Sequence, residues 1–198
     1  MGIEFELKFR ATPIQQVLLM KRYPQNHQSF AMETTYYDTE ECALSRRAYT
    51  LRRRMENDIS VCTLKTPAET YGRKEFEVNA PTIESAIPEL CKLSGVADLA
   101  SLTAKGVVPV CGAKFTRIAI PVALEDCTVE LALDSGILTG GGKEIHLCEV
   151  EVELKDGKKE AAVAFAKALA EEFCFVPELK SKFVRARELA NSSRSTGE

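Results

Sequence analysis

Apolar and charged side chains alternate without a break in Ile3-Glu4-Phe5-Glu6-Leu7-Lys8-Phe9-Arg10. A period of two predicts a strand with unlike faces. Ile3, Phe5, Leu7 and Phe9 form one face, and Glu4, Glu6, Lys8 and Arg10 form the other. A single such strand fits equally well with its charged face in water, so the pattern gains meaning only if it recurs. Over 49–56, Arg52 and Arg54 share a face, with Leu51 and Met55 opposite. Over 61–66, Lys65 lies with Thr63, while Cys62 and Leu64 lie behind. Arg73, Glu75 and Glu77 line up against Phe76 and Val78, and Glu149, Glu151, Glu153 and Lys155 line up against Val150, Val152 and Leu154.

Strands of this kind need an apolar layer outside and a charged layer facing itself. An α+β fold meets that need with a closed, eight-stranded antiparallel β-barrel, a polar lumen and helices on its outer surface. Burying so many ions is costly unless they pair or bind counterions. The occupant expected of such a tunnel is therefore a polyanion together with a divalent metal.

The remaining segments supply the helices and connections. Thr12-Pro13-Ile14-Gln15 reads as a helix start, with Thr12 as N-cap and Gln15 completing a capping box, and the helix stops near Pro24. A strand is expected over 32–38 and a short helix over 40–47, where Arg46 and Arg47 face solvent or guard a tunnel mouth. Three strands then form a meander turning at Asn57-Asp58. Thr82 to Leu93 is a helix kinked or broken at Pro88. Strands over 114–122 and 128–134 follow, the second ended by a turn at Ser135-Gly136. Gly140-Gly141-Gly142 is a flexible hairpin loop, since it lacks the flanking elements and lysine-serine ending of a phosphate-binding glycine loop. The helix over 158–173 packs an apolar stripe on the sheet. A last helical stretch, 183–190, precedes a polar tail over 191–198.

Composition narrows the function classes. The 198 residues suit one domain, 1–190, ahead of the tail. A net charge of −3 gives no basic field to gather nucleic acid or anionic membrane. Glu4, Glu6, Lys8 and Arg10 interrupt any leader-like apolar run, and no stretch is long enough to span a bilayer, so a soluble cytoplasmic protein is expected. The seven cysteines show no metal or redox spacing and are expected to pack as small core residues.

Glu4-Phe5-Glu6-Leu7-Lys8 resembles the ExExK signature of the CYTH superfamily, the triphosphate tunnel metalloenzymes. The likeness continues through Tyr36-Tyr37-Asp38-Thr39, Thr50-Leu51-Arg52-Arg53-Arg54, Thr63-Leu64-Lys65-Thr66, Gly72-Arg73-Lys74-Glu75-Phe76-Glu77, Val150-Glu151-Val152-Glu153-Leu154 and Ser181-Lys182-Phe183. A triphosphate is held by charge-assisted contacts, for which Lys8, Arg52, Arg54, Lys65, Arg73, Arg117 and Lys182 are the candidates. Carboxylates beside that anion call for a hard cation, Mg²⁺ or Mn²⁺. Its first-choice ligands are Glu4, Glu6, Glu151 and Glu153, followed by Glu75, Glu77 and Glu130. The resemblance implies two metal sites, one shielding the phosphates and one placing the attacking water. It also implies a basic pair two residues apart on the strand holding Arg117. Here Phe115 occupies the partner position and Lys114 falls on the opposite face unless a bulge turns it inward.

The expected reaction is in-line attack of metal-activated water on a terminal phosphorus. Glu4, Glu6 and Lys8 are the catalytic candidates, with Lys8 either anchoring a phosphate or orienting the water. Inorganic tripolyphosphate is the leading substrate. The same resemblance allows a fourth-class adenylyl cyclase making cyclic AMP or a thiamine triphosphatase; a non-catalytic polyphosphate or nucleotide sensor is an alternative of a different class. The expected partner is the small-molecule triphosphate, with no nucleic acid or membrane, and a homodimer is compatible with the sequence.

Overall fold

The computed structural model describes residues 2–24, 26–68 and 73–192, with backbone alone for 2–4. The opening alternation forms two short strands, β1 (Gly2–Glu4) and β2 (Glu6–Arg10), separated at Phe5. Helix α1 (Pro13–Arg22) starts with the expected capping box: the Thr12 hydroxyl accepts from the Gln15 N–H and the Thr12 N–H donates to the Gln15 side chain at 2.7 Å. Next come β3 (Gln28–Asp38), the one-turn α2 (Ala43–Arg46) and the meander β4 (Thr50–Glu56), β5 (Ile59–Pro67) and β6 (Arg73–Asn79). Helix α3 (Ile83–Ser94) contains Pro88 and continues through it without a break, and α4 (Leu99–Leu102) is one turn. The long strands β7 (Val108–Ala123), β8 (Cys127–Gly140) and β9 (Lys143–Gly157) precede α5 (Lys159–Phe173), β10 (Val176–Pro177) and α6 (Lys182–Ser192).

The eight-stranded closed barrel is not what forms. Among the described residues ten strands make one open antiparallel ladder in the order β1-β6-β5-β4-β3-β7-β8-β9-β2-β10. Closure would require the end strands to pair with each other, whereas β1 pairs with β6 and β10 with β2. The reason lies in the N-terminal segment. It divides at Phe5 into short pieces with different neighbours, and β10 adds a further edge that the alternation did not announce.

Two glycines explain differences further along. Strand β8 does not turn at Ser135-Gly136 but continues to Gly140. A Cβ at Gly136 would lie 2.2 Å from the Lys114 carbonyl oxygen, so this glycine serves close strand approach instead of a turn. At Gly140 a Cβ would meet the Ala186 carbonyl oxygen at 2.2 Å and the Ala190 nitrogen at 2.9 Å, because α6 crosses the sheet backbone to backbone there. The β8–β9 turn is made by Gly141 and Gly142, both at positive φ, as a two-residue hairpin favours.

The apolar faces are covered as the alternation requires. Phe9, Leu131, Val150 and Val152 pack with Leu19 of α1 and Ala162, Ala166 and Leu169 of α5. Leu51, Leu64, Phe76 and Val78 pack with Ile83, Ala86 and Leu90 of α3. A smaller cluster of Met32, Phe115, Leu138 and Leu147 receives Ala186 of α6. All seven cysteines are free thiols; Cys62 and Cys127 are buried and Cys174 is exposed. No helix among the described residues is long and apolar enough to cross a membrane.

Candidate active site

Strand register sets the charged residues in rows. Arg117 stands opposite Asp134, which stands opposite Glu149, across β7, β8 and β9. Lys8 faces Glu151 across β2 and β9. Glu6 faces Glu153, which in turn faces Glu130, so three carboxylates lie abreast across β2, β9 and β8. Like charges so placed repel one another unless cations intervene. Lys8 Nζ lies 2.7 Å from Glu6, and Lys155 Nζ lies 2.8 Å from Glu153 and 3.5 Å from Glu130.

The curved sheet and α6 surround a cavity of about 420 Å³. Lys8, Arg52, Arg54, Lys65, Arg73, Arg117 and Lys182 all line it, as do Glu6 and Glu151. Phe5, Phe115 and Phe183 also border it, as do Thr34, Tyr36, Thr50 and Ser181. A second cavity of about 270 Å³ shares Arg52, Arg54 and Arg117 with the first and holds Glu56, Glu75, Glu77, Glu130 and Glu153. Those three arginines therefore stand between a mainly cationic space and a mainly anionic one. Arg52 reaches Glu75 at 3.0 Å and Glu77 at 3.7 Å, and Lys65 reaches Glu75 at 3.3 Å. Burial, reinforced by neighbouring Arg52, lowers the Arg54 pKa, an environment that favours an incoming anion.

The tightest charge cluster lies where β8, β9 and α6 meet. Asp134, Glu149 and Glu151 are buried, and each offers an oxygen within 4.8 Å of the others. Arg117 forks onto Asp134 with two bonds of 2.7 Å and reaches Glu151 at 2.6 Å. Lys182 Nζ lies 2.6 Å from Asp134 and 2.8 Å from Glu151 and pairs with Glu149. Arg185 also pairs with Glu149. Burial opposes the Lys182 charge, but Glu151, Asp134 and Glu149 outweigh it and raise its pKa well above the usual value. Burial likewise opposes the Glu151 carboxylate, yet Lys182 and Arg117 hold its pKa well below the usual range. Burial prevails at Glu149, whose pKa is raised. Three carboxylate oxygens at this spacing could hold a metal ion.

A CYTH-domain model matches residues 2–185. The chain belongs to the CYTH family. An inorganic triphosphatase of Haemophilus influenzae is 28% identical over 174 residues, covering 84% of this chain and 49% of the relative. The chain thus spans about half the length of that curated relative. The solved structure of a candidate adenylyl cyclase from Hippeastrum, described as having dominant triphosphatase activity, matches with a TM-score of 0.65 at 20% identity, covering 95% of this chain and 96% of that one. A candidate adenylate cyclase from Bacillus halodurans matches with a TM-score of 0.63 at 17% identity, covering 91% and 94%. These structural likenesses bear on the fold.

Within this CYTH domain, all seven cations expected to meet substrate line one cavity. The expected carboxylates divide: Glu6 and Glu151 line the first cavity, and Glu75, Glu77, Glu130 and Glu153 line the second. The Glu4 side chain lies outside the described residues; its backbone pairs with Arg73. Lys114 points away, exposed and 3.5 Å from Glu33, while Phe115 and Arg117 line the cavity. Asp134 and Glu149 lie on the charged faces read from the sequence but are given no role there, and Arg185 is not singled out at all. Glu149 was in phase with Glu151, and Asp134 with Glu130, so alternation carried a signal for both. Arg185 carried none, because its place depends on how α6 lies on the sheet.

Proposed function

We propose that this chain hydrolyses a linear triphosphate, with inorganic tripolyphosphate as its first substrate, in a reaction that depends on Mg²⁺ or Mn²⁺. The observation behind this reading is the convergence of Lys8, Arg52, Arg54, Lys65, Arg73, Arg117 and Lys182 on one cavity edged by carboxylates. Such a set matches a flexible polyanion with charge distributed along its length. The inorganic triphosphatase relative supports the same substrate.

Arg52 and Arg54, at the boundary between the cavities, are assigned to the central phosphate, where guanidinium forks bind two oxygens each. Lys65 and Arg73 extend the cationic wall. Burial opposes the Lys8 charge, but Glu6 outweighs it and raises its pKa above the usual 10.5. Lys8 therefore remains an ammonium donor near neutral pH and is assigned to anchor a phosphate oxygen. Glu6, Glu130 and Glu153, with Asp134, Glu149 and Glu151, are assigned to hold the cations. A divalent ion held there supplies Lewis-acid neutralisation of phosphate oxygens. Lys182 and Arg117 then stabilise charge developing on the transferred and leaving groups.

The decisive experiment incubates pure protein with tripolyphosphate, ATP or thiamine triphosphate in Mg²⁺ or Mn²⁺ and identifies the products. Orthophosphate from tripolyphosphate is expected. Binding without turnover would leave a polyphosphate sensor in its place. A second reading rests on Phe5, Tyr36, Phe115 and Phe183, which offer apolar surface beside the cations for an organic group on the triphosphate. Cyclic AMP from ATP, or preferential cleavage of thiamine triphosphate, would favour it.

A further inference from the structure

We propose that the Lys182 ammonium is a tethered competitor for the divalent cation, blocking the Asp134–Glu149–Glu151 cluster until a phosphate chain draws the ammonium away. This inference rests on the metal-dependent reading above and extends it to the order in which charges change partners.

The argument starts from charge. Asp134, Glu149 and Glu151 carry three negative charges within a few ångströms, and Lys182, Arg117 and Arg185 bring three positive charges to them. The cluster is already neutral. Of these cations Lys182 alone contacts all three carboxylates, so it takes the position that a shared metal ion would need. Oε1 of Glu149 is fully buried and its partner is the Lys182 ammonium. That oxygen faces into the cluster, able to exchange one cation for another.

Geometry also gives Lys182 an alternative partner. It is the first residue of α6, and it lines the same cavity as Arg52, Arg54 and Lys65. A phosphate there offers the ammonium new oxygen partners without exposing it to bulk water. Metal alone must expel a buried ammonium, and triphosphate alone must pull it from three carboxylates. Both together exchange partners with little net loss of charge pairing, which is a positive coupling between the two ligands.

The test titrates Mn²⁺ alone, followed by electron paramagnetic resonance, into the full chain and its variants. Lys182→Gln should bind Mn²⁺ about tenfold or more tightly than the parent, with weakened tripolyphosphate binding, as expected for removal of a coupled competitor. Lys159→Gln removes another lysine from the cavity wall, one whose ammonium lies 4.5 Å over the Phe5 ring. Its Mn²⁺ affinity should match the parent's. Unchanged or weaker Mn²⁺ binding in Lys182→Gln overturns the proposal, as does an equal gain in Lys159→Gln. If Lys182→Gln is unfolded in metal-free buffer, millimolar Mn²⁺ should refold it, as judged by circular dichroism. Failure to refold would also overturn the idea. No triphosphate enters the metal titration, so an absence of tripolyphosphate hydrolysis would defeat the functional reading separately.

Discussion

On the β8–β9 flank of the cavity, Arg117 and Lys182 meet Asp134 and Glu151 at 2.6–2.8 Å, and both of those carboxylates are buried. On the β4–β6 flank, Arg52 and Lys65 meet Glu75 and Glu77 at 3.0–3.7 Å, with the Glu77 side chain 44% exposed. The first flank is desolvated and internally neutral, so its groups depend on one another for stability. The second keeps its cations near carboxylates that water also screens, leaving them easier to recruit by an anion. Abundance of charge therefore says little about a residue's role; how firmly each charge is already held says more.

The largest contrast should appear in stability. Glu149→Ala would strand Lys182 and Arg185 in a buried site and lower unfolding free energy by about 3–5 kcal/mol in urea titrations. Glu77→Ala on the other flank should cost no more than about 1 kcal/mol. Equal losses would erase the distinction between the flanks.

Next in size are the effects on catalysis and binding. Glu6→Gln keeps the shape but removes a charge from the row of three carboxylates, and should reduce metal-dependent turnover about a hundredfold with the fold retained. Near-normal turnover would remove Glu6 from the cation site. Arg52→Ala should weaken tripolyphosphate binding by about 1.5–3 kcal/mol in calorimetry while barely moving the urea midpoint. A large midpoint shift with unchanged affinity would reverse the roles given to the flanks.

The smallest expected effect is a change in acid sensitivity. Lys182 and Arg117 overcome the burial penalty and hold the Glu151 pKa well below the usual 4.5. Its contribution is therefore present above pH 4.5 and lost as pH falls through the lower folded value. Glu151→Gln should be less stable than the parent at neutral pH, and the gap should narrow on acidification below pH 4.5. A gap that stays constant in thermal melts from pH 6 to pH 2 would refute that sign.

Much of this arrangement was legible in the alternation because β-strand geometry assigns faces by parity. Arg52, Lys65, Glu151 and Glu153 needed only that rule. Closure was not legible: it depends on which neighbour each half of the N-terminal segment selects, and Phe5 divides a run that parity treats as continuous. Gly136 misled for a related reason. A glycine between strand residues signals a turn or a close approach with the same letter, and only the position of Phe115 opposite it decides between them. Arg185 was invisible because a helix has no strand register to fix its docking.

The bare crossing at Gly140 fixes how α6 lies beside the charge cluster, because it meets Ala186, the neighbour of Arg185. One methyl group there would act as a wedge beneath Ala186 and Ala190, tilting the short rod that begins at Lys182. A larger residue at that position would force the helix to shift although every charged side chain stayed the same.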